Sequence, residues 1–231
     1  MERISLDNRL SAVARWVIPG EPLADIGTDH ALLPCMLVGS GRCPSAVAAD
    51  VAPGPLQQAA QTVDSCGLRQ HISLRLGSGL TVLCAGETAT AVLAGMGGRL
   101  ICKLLQESPQ VTVSLRRLVL QPQRNQEAVR SWLADNGWRI IGDDLARDDY
   151  MWYNIIAAEP GSMRLDEIRL RYGPYTRGVD AESRRQWLRC RRDSVLTIAL
   201  SLQGRTGSAA ERRRELENEA ELLDKLIDEV K

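Results

Sequence analysis

The segment Leu23-Ala24-Asp25-Ile26-Gly27-Thr28-Asp29-His30 constrains the fold more than any other part of the chain. A short apolar run stops at a glycine, acids flank the turn, and a helical pattern begins at Ala31. A strand that ends at a glycine and feeds a helix presents free backbone N–H groups at the helix start. It also leaves room for a ligand against the main chain. Strand–turn–helix units of this kind recur downstream, which calls for a largely parallel sheet with helices on both faces.

In chain order, apolar residues at 6, 10, 13 and 17 predict a helix over Leu6–Val17, ended by Pro19-Gly20. Arg3, Arg9 and Arg15 lie off its apolar face, either as solvated surface or, given the nearby turn, as holders of phosphate. Strands are predicted at 22–26, 45–49, 71–76, 90–93 and 115–120, and helices at 31–38, 55–66, 99–106 and 126–135. Pro34 is tolerable because it falls in an opening turn. The second strand ends at Asp50, about 20 residues past the first turn, where nucleotide-binding α/β folds place an acid for ribose hydroxyls. The other reading of Asp50 is a cap for the next helix. After the fourth strand, Ala94-Gly95-Met96-Gly97-Gly98 packs three glycines into four positions. That composition is entropically costly unless something approaches the backbone. Two strands, 138–145 and 150–158, read as a closing hairpin, so one antiparallel strand is expected near the end of the sheet.

Past Glu159-Pro160-Gly161 the character changes. Apolar residues at 188, 195, 198, 199 and 202 form a narrow seam over 182–202, and Gly204 to Gly207 break it. Ser208-Ala-Ala-Glu211 reads as a capping box. Leu216, Ala220, Leu223, Ile227 and Val230 then alternate fours and threes, as a coiled-coil seam requires. The first arm carries Arg184, Arg185, Arg189, Arg191 and Arg192, and the second is acidic. The arms either attract one another or leave a basic rail for a polyanion. The expected division is therefore 1–160 and 161–231.

Composition narrows the classes. The chain has 231 residues, 44% hydrophobic and 25% charged, with Lys+Arg and Asp+Glu equal at 29. Net charge announces no nucleic-acid partner, so any such footprint must be local. No run approaches the roughly 18 apolar residues of a membrane span. The N-terminus lacks a secretion pattern, which makes the cytoplasm the expected compartment. Six cysteines at wide spacings and two histidines give no reason to expect a metal site. Most of these thiols read as small buried hydrophobes. Nothing in the sequence dictates an oligomer, and a monomer is the working expectation.

The first turn lacks Gly-x-Gly-x-x-Gly and the lysine of a phosphate-binding P-loop. An acid–x–Gly turn, an acid ending the second strand and glycine loops after the third and fourth suit S-adenosylmethionine instead. Its ribose wants a carboxylate, its ammonium wants negative charge, and its sulfonium wants a close, dry backbone. Beyond the cofactor, five motifs stand in order: Asp25-Ile-Gly-Thr-Asp-His-Ala-Leu-Leu-Pro34, Pro53-Gly-Pro-Leu56, Ala94-Gly-Met-Gly-Gly98, Leu120-Gln-Pro122 and Arg171-Tyr-Gly-Pro174. Together they closely resemble the bacterial TrmK family of tRNA (adenine-22-N1)-methyltransferases.

That resemblance implies a class I Rossmann-like methyltransferase domain, a C-terminal coiled-coil hairpin, S-adenosylmethionine as methyl donor and tRNA as partner. It implies that Gly27, Thr28, Asp29 and His30 line the methionine end, and that Asp50, with Val51 beside it, binds the ribose. Ser78 and Gly79 would lie by the cofactor's adenine, and Ala94, Gly95, Met96 and Gly97 would floor the site near the methyl. Two departures stand out. The family usually has Gly-Asp-Gly where Ser78 stands, which removes a carboxylate near that adenine. It often has Gln-Pro-Asn where Gln123 stands. Adenine N1 is a lone pair, so transfer needs alignment more than a base. Asp29 is the candidate carboxylate for the cationic product, its other reading being a cofactor contact or helix cap. His30, Met96, Tyr150, Trp152 and Tyr153 are candidate walls for a flipped base. Arg9, Arg124, Gln121 and Pro122 are candidate RNA contacts. Two alternatives remain: a methyltransferase of another RNA site, or a non-catalytic RNA-binding protein on the same fold.

Overall fold

A computed structural model describes residues 4–149, 151–173 and 179–230. The chain forms two compact units, Met1–Gly178 and Val179–Lys231. In the first, α1 (Asn8–Trp16) precedes β1 (Leu23–Ile26), α2 (Leu32–Gly39), β2 (Ala46–Asp50), α3 (Pro53–Ser65) and β3 (Ile72–Leu76). A 3-10 turn at Gly79–Val82 leads to β4 (Thr90–Gly97), α4 (Gly98–Glu107), α5 (Pro109–Ser114) and β5 (Arg117–Arg124). Then come α6 (Gln126–Asp135), β6 (Trp138–Asp148), β7 (Met151–Pro160) and α7 (Glu167–Tyr172). The sheet runs β3-β2-β1-β4-β5-β7-β6, with β7 antiparallel to both neighbours. This is the largely parallel sheet with an antiparallel strand near its end that the order of units predicts, and it agrees with the Rossmann-like fold that the family resemblance implies.

β1, buried along its whole length, pairs in parallel with both β2 and β4. Strands buried on both faces need apolar residues at every position, which is why these read as runs rather than alternations. Leu23, Val92 and Val119 join one core cluster with α1, α2 and α3. Ala24, Ile26, Leu93, Leu118 and Leu120 join the other, with α4 and α6. Two elements had no signal in the apolar pattern, α5 and α7. β4 and β5 run past their predicted ends: Met96 pairs with Pro122 and Gly97 with Arg124, across a register shift. Of the six thiols, Cys35, Cys43 and Cys66 are buried while Cys84 and Cys190 are exposed, so burial holds for half of them.

Helix α1 is fixed against the sheet at three points. Arg15 Nη2 lies 2.7 Å from the buried Asp144 carboxylate, so Arg15 is structural. A Cβ on Gly142 would stand 2.1 Å from the Trp16 ring, so only glycine lets the indole lie on the β6 backbone there. Asn8 donates to the Arg147 carbonyl at 3.1 Å. Arg3 lies outside the described residues.

The C-terminal end of this unit hangs on one buried ion pair. Arg130, 1% exposed, donates to both oxygens of Asp143 at 2.6 and 3.1 Å. Its Nη1 also donates to the carbonyls of Leu170 and Arg171, at the end of α7. Gly173, at φ +83, passes so close that a Cβ would meet Asp143 Oδ2 at 2.4 Å. The Arg-Tyr-Gly part of the last motif is thus the local shape needed to cap a buried guanidinium, while Pro174 lies outside the described residues.

In the second unit, α8 (Ala181–Ser201) packs against α9 (Ser208–Glu229). The hairpin is antiparallel, since Arg185 donates to the Val230 carbonyl and Arg192 pairs with Asp224 at 2.8 Å. Leu188, Val195, Ala199, Leu216, Ala220, Leu223, Ile227 and Val230 are buried, as a two-arm seam requires. Two expectations are corrected. Ile198 is 52% exposed, since its neighbour Ala199 takes the inward position. Ser208 is the first helical residue, not the cap: Gly207 takes that place at φ +66, with no side-chain cap bond. Among the described residues no helix is long and apolar enough to cross a membrane.

Asp143→Leu leaves Arg130 charged and buried, and should cost about 3–5 kcal/mol of stability. Denaturant unfolding checks this. A loss below about 1 kcal/mol would mean that the Leu170 and Arg171 carbonyls suffice for the guanidinium.

Candidate active site

The C-terminal ends of β1 and β4 frame a cavity of 530 Å³. Gly27, Thr28, Asp29 and His30 line one side, Ala94 and Gly95 another, with Arg9, Gln123 and Tyr153 around them. The first turn is tied to β2: Gly27 and Thr28 both donate to the Ala49 carbonyl. Gly27 sits at φ +73, and a Cβ there would stand 2.3 Å from the Met96 methyl. Glycine is therefore favoured by the positive φ of the turn, and its bare backbone also leaves room for the Met96 methyl. Asp29 and Ala31 also adopt φ +54 without being glycines. Such residues persist only where the surroundings dictate them, and they gather at functional turns.

Asp25 lies within the cavity lining yet is 6% exposed. Thr28 Oγ1 donates to it at 2.7 Å, and no ion pair to it exists among the described residues. Burial pushes its carboxyl up to about 6; the Thr28 bond and the Arg9 charge pull down, and Asp50 pushes up. A buried carboxylate bonded only to a hydroxyl fits a cationic ligand group such as an ammonium. Sequence reading noted Asp25 only as an acid flanking the turn; its burial, the fact that singles it out, is tertiary.

Asp50, half-buried, accepts from the Ala52 N–H at 2.9 Å and the Asp29 N–H at 3.4 Å. Capping and ligand binding are compatible, since a carboxylate accepts more than two bonds. Val51 beside it is 71% exposed, an apolar side chain free to cover a ring. Gly77 donates to the Asp50 carbonyl, which brings the Ser78–Gly79 loop beside this acid. Ser78 is exposed and Gly79 buried. Asp50, Val51, Ser78 and Gly79 thus form a ledge at the ends of β2 and β3, outside the lining of the cavity itself.

The remaining candidates divide. Arg9 Cζ sits 5.9 Å above the Tyr153 ring, so these two form one flat wall. His30 lines the cavity half-exposed, 3.7 Å from Asp29. Trp152 is stacked under Arg147 and does not line the cavity; Tyr150 lies outside the described residues. Arg124 is exposed near Gly97. Gln121 and Pro122 are buried, so neither offers a contact surface. Asp7 and Asp148 line the cavity without having been expected there. The cap of α1 and the tip of the β6–β7 hairpin deliver them, and no local pattern marks such long-range meetings. Among the described residues no group of three or more metal-ligating side chains exists.

Residues 6–156 match the family model described as a methyltransferase domain. A seven-stranded sheet of this order, with a glycine-turned, acid-floored cleft at β1 and β4, defines that class. The chain is 31% identical to the tRNA (adenine(22)-N(1))-methyltransferase of Bacillus subtilis over 236 residues, 99% of each chain. It superposes on the B. subtilis M1A22 tRNA methyltransferase TrmK with a TM-score of 0.84 at 29% identity, covering 97% of this chain and 99% of that one. The Streptococcus pneumoniae protein Sp1610 in complex with S-adenosyl-L-methionine gives 0.85 at 30%, covering 96% and 100%. The chain belongs to the tRNA (adenine(22)-N1)-methyltransferase family.

The sign of the Asp25 shift makes a stability prediction. Its folded value, about 6, lies above the ordinary 3.8, so between those values the folded state holds more protons than the unfolded one. Stability from this group is therefore full below about 4 and falls as pH rises to about 6, by on the order of 3 kcal/mol. Asp25→Asn should remove that slope. Unfolding free energies of both proteins across this window check it, and parallel profiles would count against a desolvated carboxylate.

Proposed function

We infer that this protein transfers a methyl group from S-adenosylmethionine to N1 of adenine 22 in tRNA. The observation that carries this reading is the acid-floored cleft between the Gly27 and Gly95 turns, in a chain that matches a tRNA (adenine(22)-N(1))-methyltransferase along its full length. The residues fit the methyl donor: Asp25 suits its ammonium, Asp50 its ribose diol and Val51 a face of its adenine. The open backbone at Gly95 suits a close approach. Ser78 offers a hydroxyl where relatives have a carboxylate, which trims one contact and leaves the rest. When bound, S-adenosylmethionine supplies an electrophilic methyl on sulfur.

The work left to the chain is alignment and charge. Adenine N1 carries its own lone pair, so no residue has to remove a proton first. Tyr153, with Arg9 across its face, offers a flat wall for a base taken out of its stack. Asp29, exposed at the strained turn, faces the cavity as a carboxylate able to stabilise a ring that becomes cationic, and to accept a proton from its exocyclic amine afterwards. Arg124, exposed beside Gly97, suits an RNA phosphate, a contact that positions rather than specifies. In the second unit Arg189 and Arg191 are exposed, while Arg192 and Arg185 are used within the hairpin. The attraction between arms accounts for Arg185 and Arg192, and the exposed Arg189 and Arg191 suit the reading as a rail for a polyanion.

Labelled methyl donor with unmodified tRNA bearing adenine at position 22 should transfer label to N1, and the same tRNA with guanine there should receive none. Equal labelling of both would move the activity to another RNA site. Binding of both ligands without transfer would support a non-catalytic RNA-binding role. Asp29→Asn should bind the methyl donor normally and lower kcat on the order of 10²-fold. Full-rate methylation by that variant would confine Asp29 to shaping the turn.

A further inference from the structure

Gln121 stands within β5 and is fully buried, yet it touches two residues of the cavity lining through one atom. Its Oε1 accepts from the Gly95 backbone N–H at 3.0 Å and from Arg9 Nη1 at 3.2 Å. Gly95 is the residue of the β4 loop that needs φ +77, and a Cβ there would lie 4.0 Å from Arg9 Nη1 and from Gln123 Nε2. Arg9 comes from α1, 112 residues away in sequence, and lies over the Tyr153 ring. One carbonyl oxygen therefore joins the N-terminal helix, the glycine loop and, through Arg9, the aromatic wall on β7.

The other half of the amide sharpens the point. Gln121 Nε2 is buried and finds no hydrogen-bond partner among the described residues. A buried orphan donor is a net cost to folding. An apolar side chain of the same shape would avoid that cost but leave the Gly95 N–H and Arg9 without this acceptor, so the reason for a glutamine lies in its oxygen. What it contributes is an acceptor aimed at two donors that border the cavity. Arg9 has one other anchor, Asp7 at 3.6 Å, and that carboxylate is 39% exposed. Without the Gln121 oxygen, the guanidinium would be held by a solvent-screened pair and by its stack alone.

We propose that Gln121 is a positioning residue for methyl transfer, whose buried carbonyl oxygen fixes the Arg9 guanidinium over Tyr153 and holds it beside the Gly95 backbone in the lining of the cleft. It touches neither base nor methyl donor. Its effect passes through Arg9 and Gly95, where small displacements matter because reacting atoms must meet in line. The inference rests on the reading of this cleft as the place where purine and methyl meet.

The test compares Gln121→Met, Gln121→Glu, Arg9→Ala and the double variant Arg9→Ala/Gln121→Met in the full chain, with melting temperature, methyl-donor affinity and steady-state kinetics on adenine-22 tRNA. Gln121→Met keeps the shape and loses the acceptor; kcat should fall roughly tenfold to a hundredfold, with methyl-donor affinity within about threefold of the parent. Gln121→Glu keeps an oxygen for both donors and drops the orphan N–H, so it should recover most of the rate. Since Gln121 acts through Arg9, the double variant should be little slower than Arg9→Ala alone, whereas independent roles would multiply the two losses. Three results overturn the proposal: a folded Gln121→Met at parental rate, multiplying losses, or a Gln121→Glu as slow as the methionine variant. If Gln121→Met fails to fold, the glutamate variant and Arg9→Ala decide: a glutamate variant that folds at near-parental rate supports the role, and a slow one refutes it. A parent protein that labels no adenine-22 tRNA would sink the functional reading itself, and this inference with it.

Discussion

The winding of the sheet reverses between β1 and β4, and the rest of the molecule depends on that pairing. Leu23 lies beside Thr90 and Ile26 beside Leu93, so both strands start level and β4 runs on past the end of β1 to Gly97. Their onward connections depart to opposite faces, β1 into α2 and β4 into α4, which opens a crevice at the strand ends. Two further constraints follow. The chain must turn sharply at both ends, hence positive φ at Gly27 and Gly95. The side chains nearest the crevice must tolerate both burial and a ligand, as Asp25 does. The two turns also touch, since Met96 from the second places its methyl against Gly27 of the first.

Asp29 and Ala31 raise a separate question, because both adopt left-handed backbone without being glycine. Each costs on the order of 1–3 kcal/mol. The compensation lies in β2 and α2: the Ala49 carbonyl receives two N–H groups of the turn, and Ala31 N–H donates back to Thr28. Ala31 itself is buried, so its small side chain suits both the twist and the core. A glycine at 29 would relieve the strain and lose the carboxylate, which is the side chain the turn presents to the cavity. Aspartate is among the non-glycine residues that tolerate this region best, so the turn keeps its acid at modest cost.

The sheet was legible in the sequence because its signal is local. Parallel strands buried on both faces appear as apolar runs, and helices between them appear as amphipathic periods. The glycine turns were legible for the same reason, since glycine marks its own conformation. What stayed hidden depends on pairs far apart in sequence. Gln121 read as a surface contact because its partners are Arg9 and Gly95. Arg130 and Asp143 carry no mark in the sequence, though their mutual burial anchors α7. Trp16 needs Gly142, 126 residues later, and no window sees both. Ser208 failed differently: the local pattern for a cap was present, but Gly207 was better suited to the turn that precedes the helix.

The charges of the second unit show how far composition can be pushed. Equal numbers of acids and bases over the whole chain hide a separation within one hairpin, basic on α8 and acidic on α9. Attraction between the arms engages bases that face across the seam, among them Arg192 with Asp224 and Arg185 with the Val230 carbonyl. The seam is narrow, so Arg189 and Arg191, on the outer side of the same helix, cannot reach α9 and stay in solvent. A surface that owes nothing to its own fold must be explained by its surroundings or by nothing at all. Exposed guanidinium groups of this kind are always charged and present planar donors, so the outer face of α8 offers a local positive surface that the balanced total charge conceals.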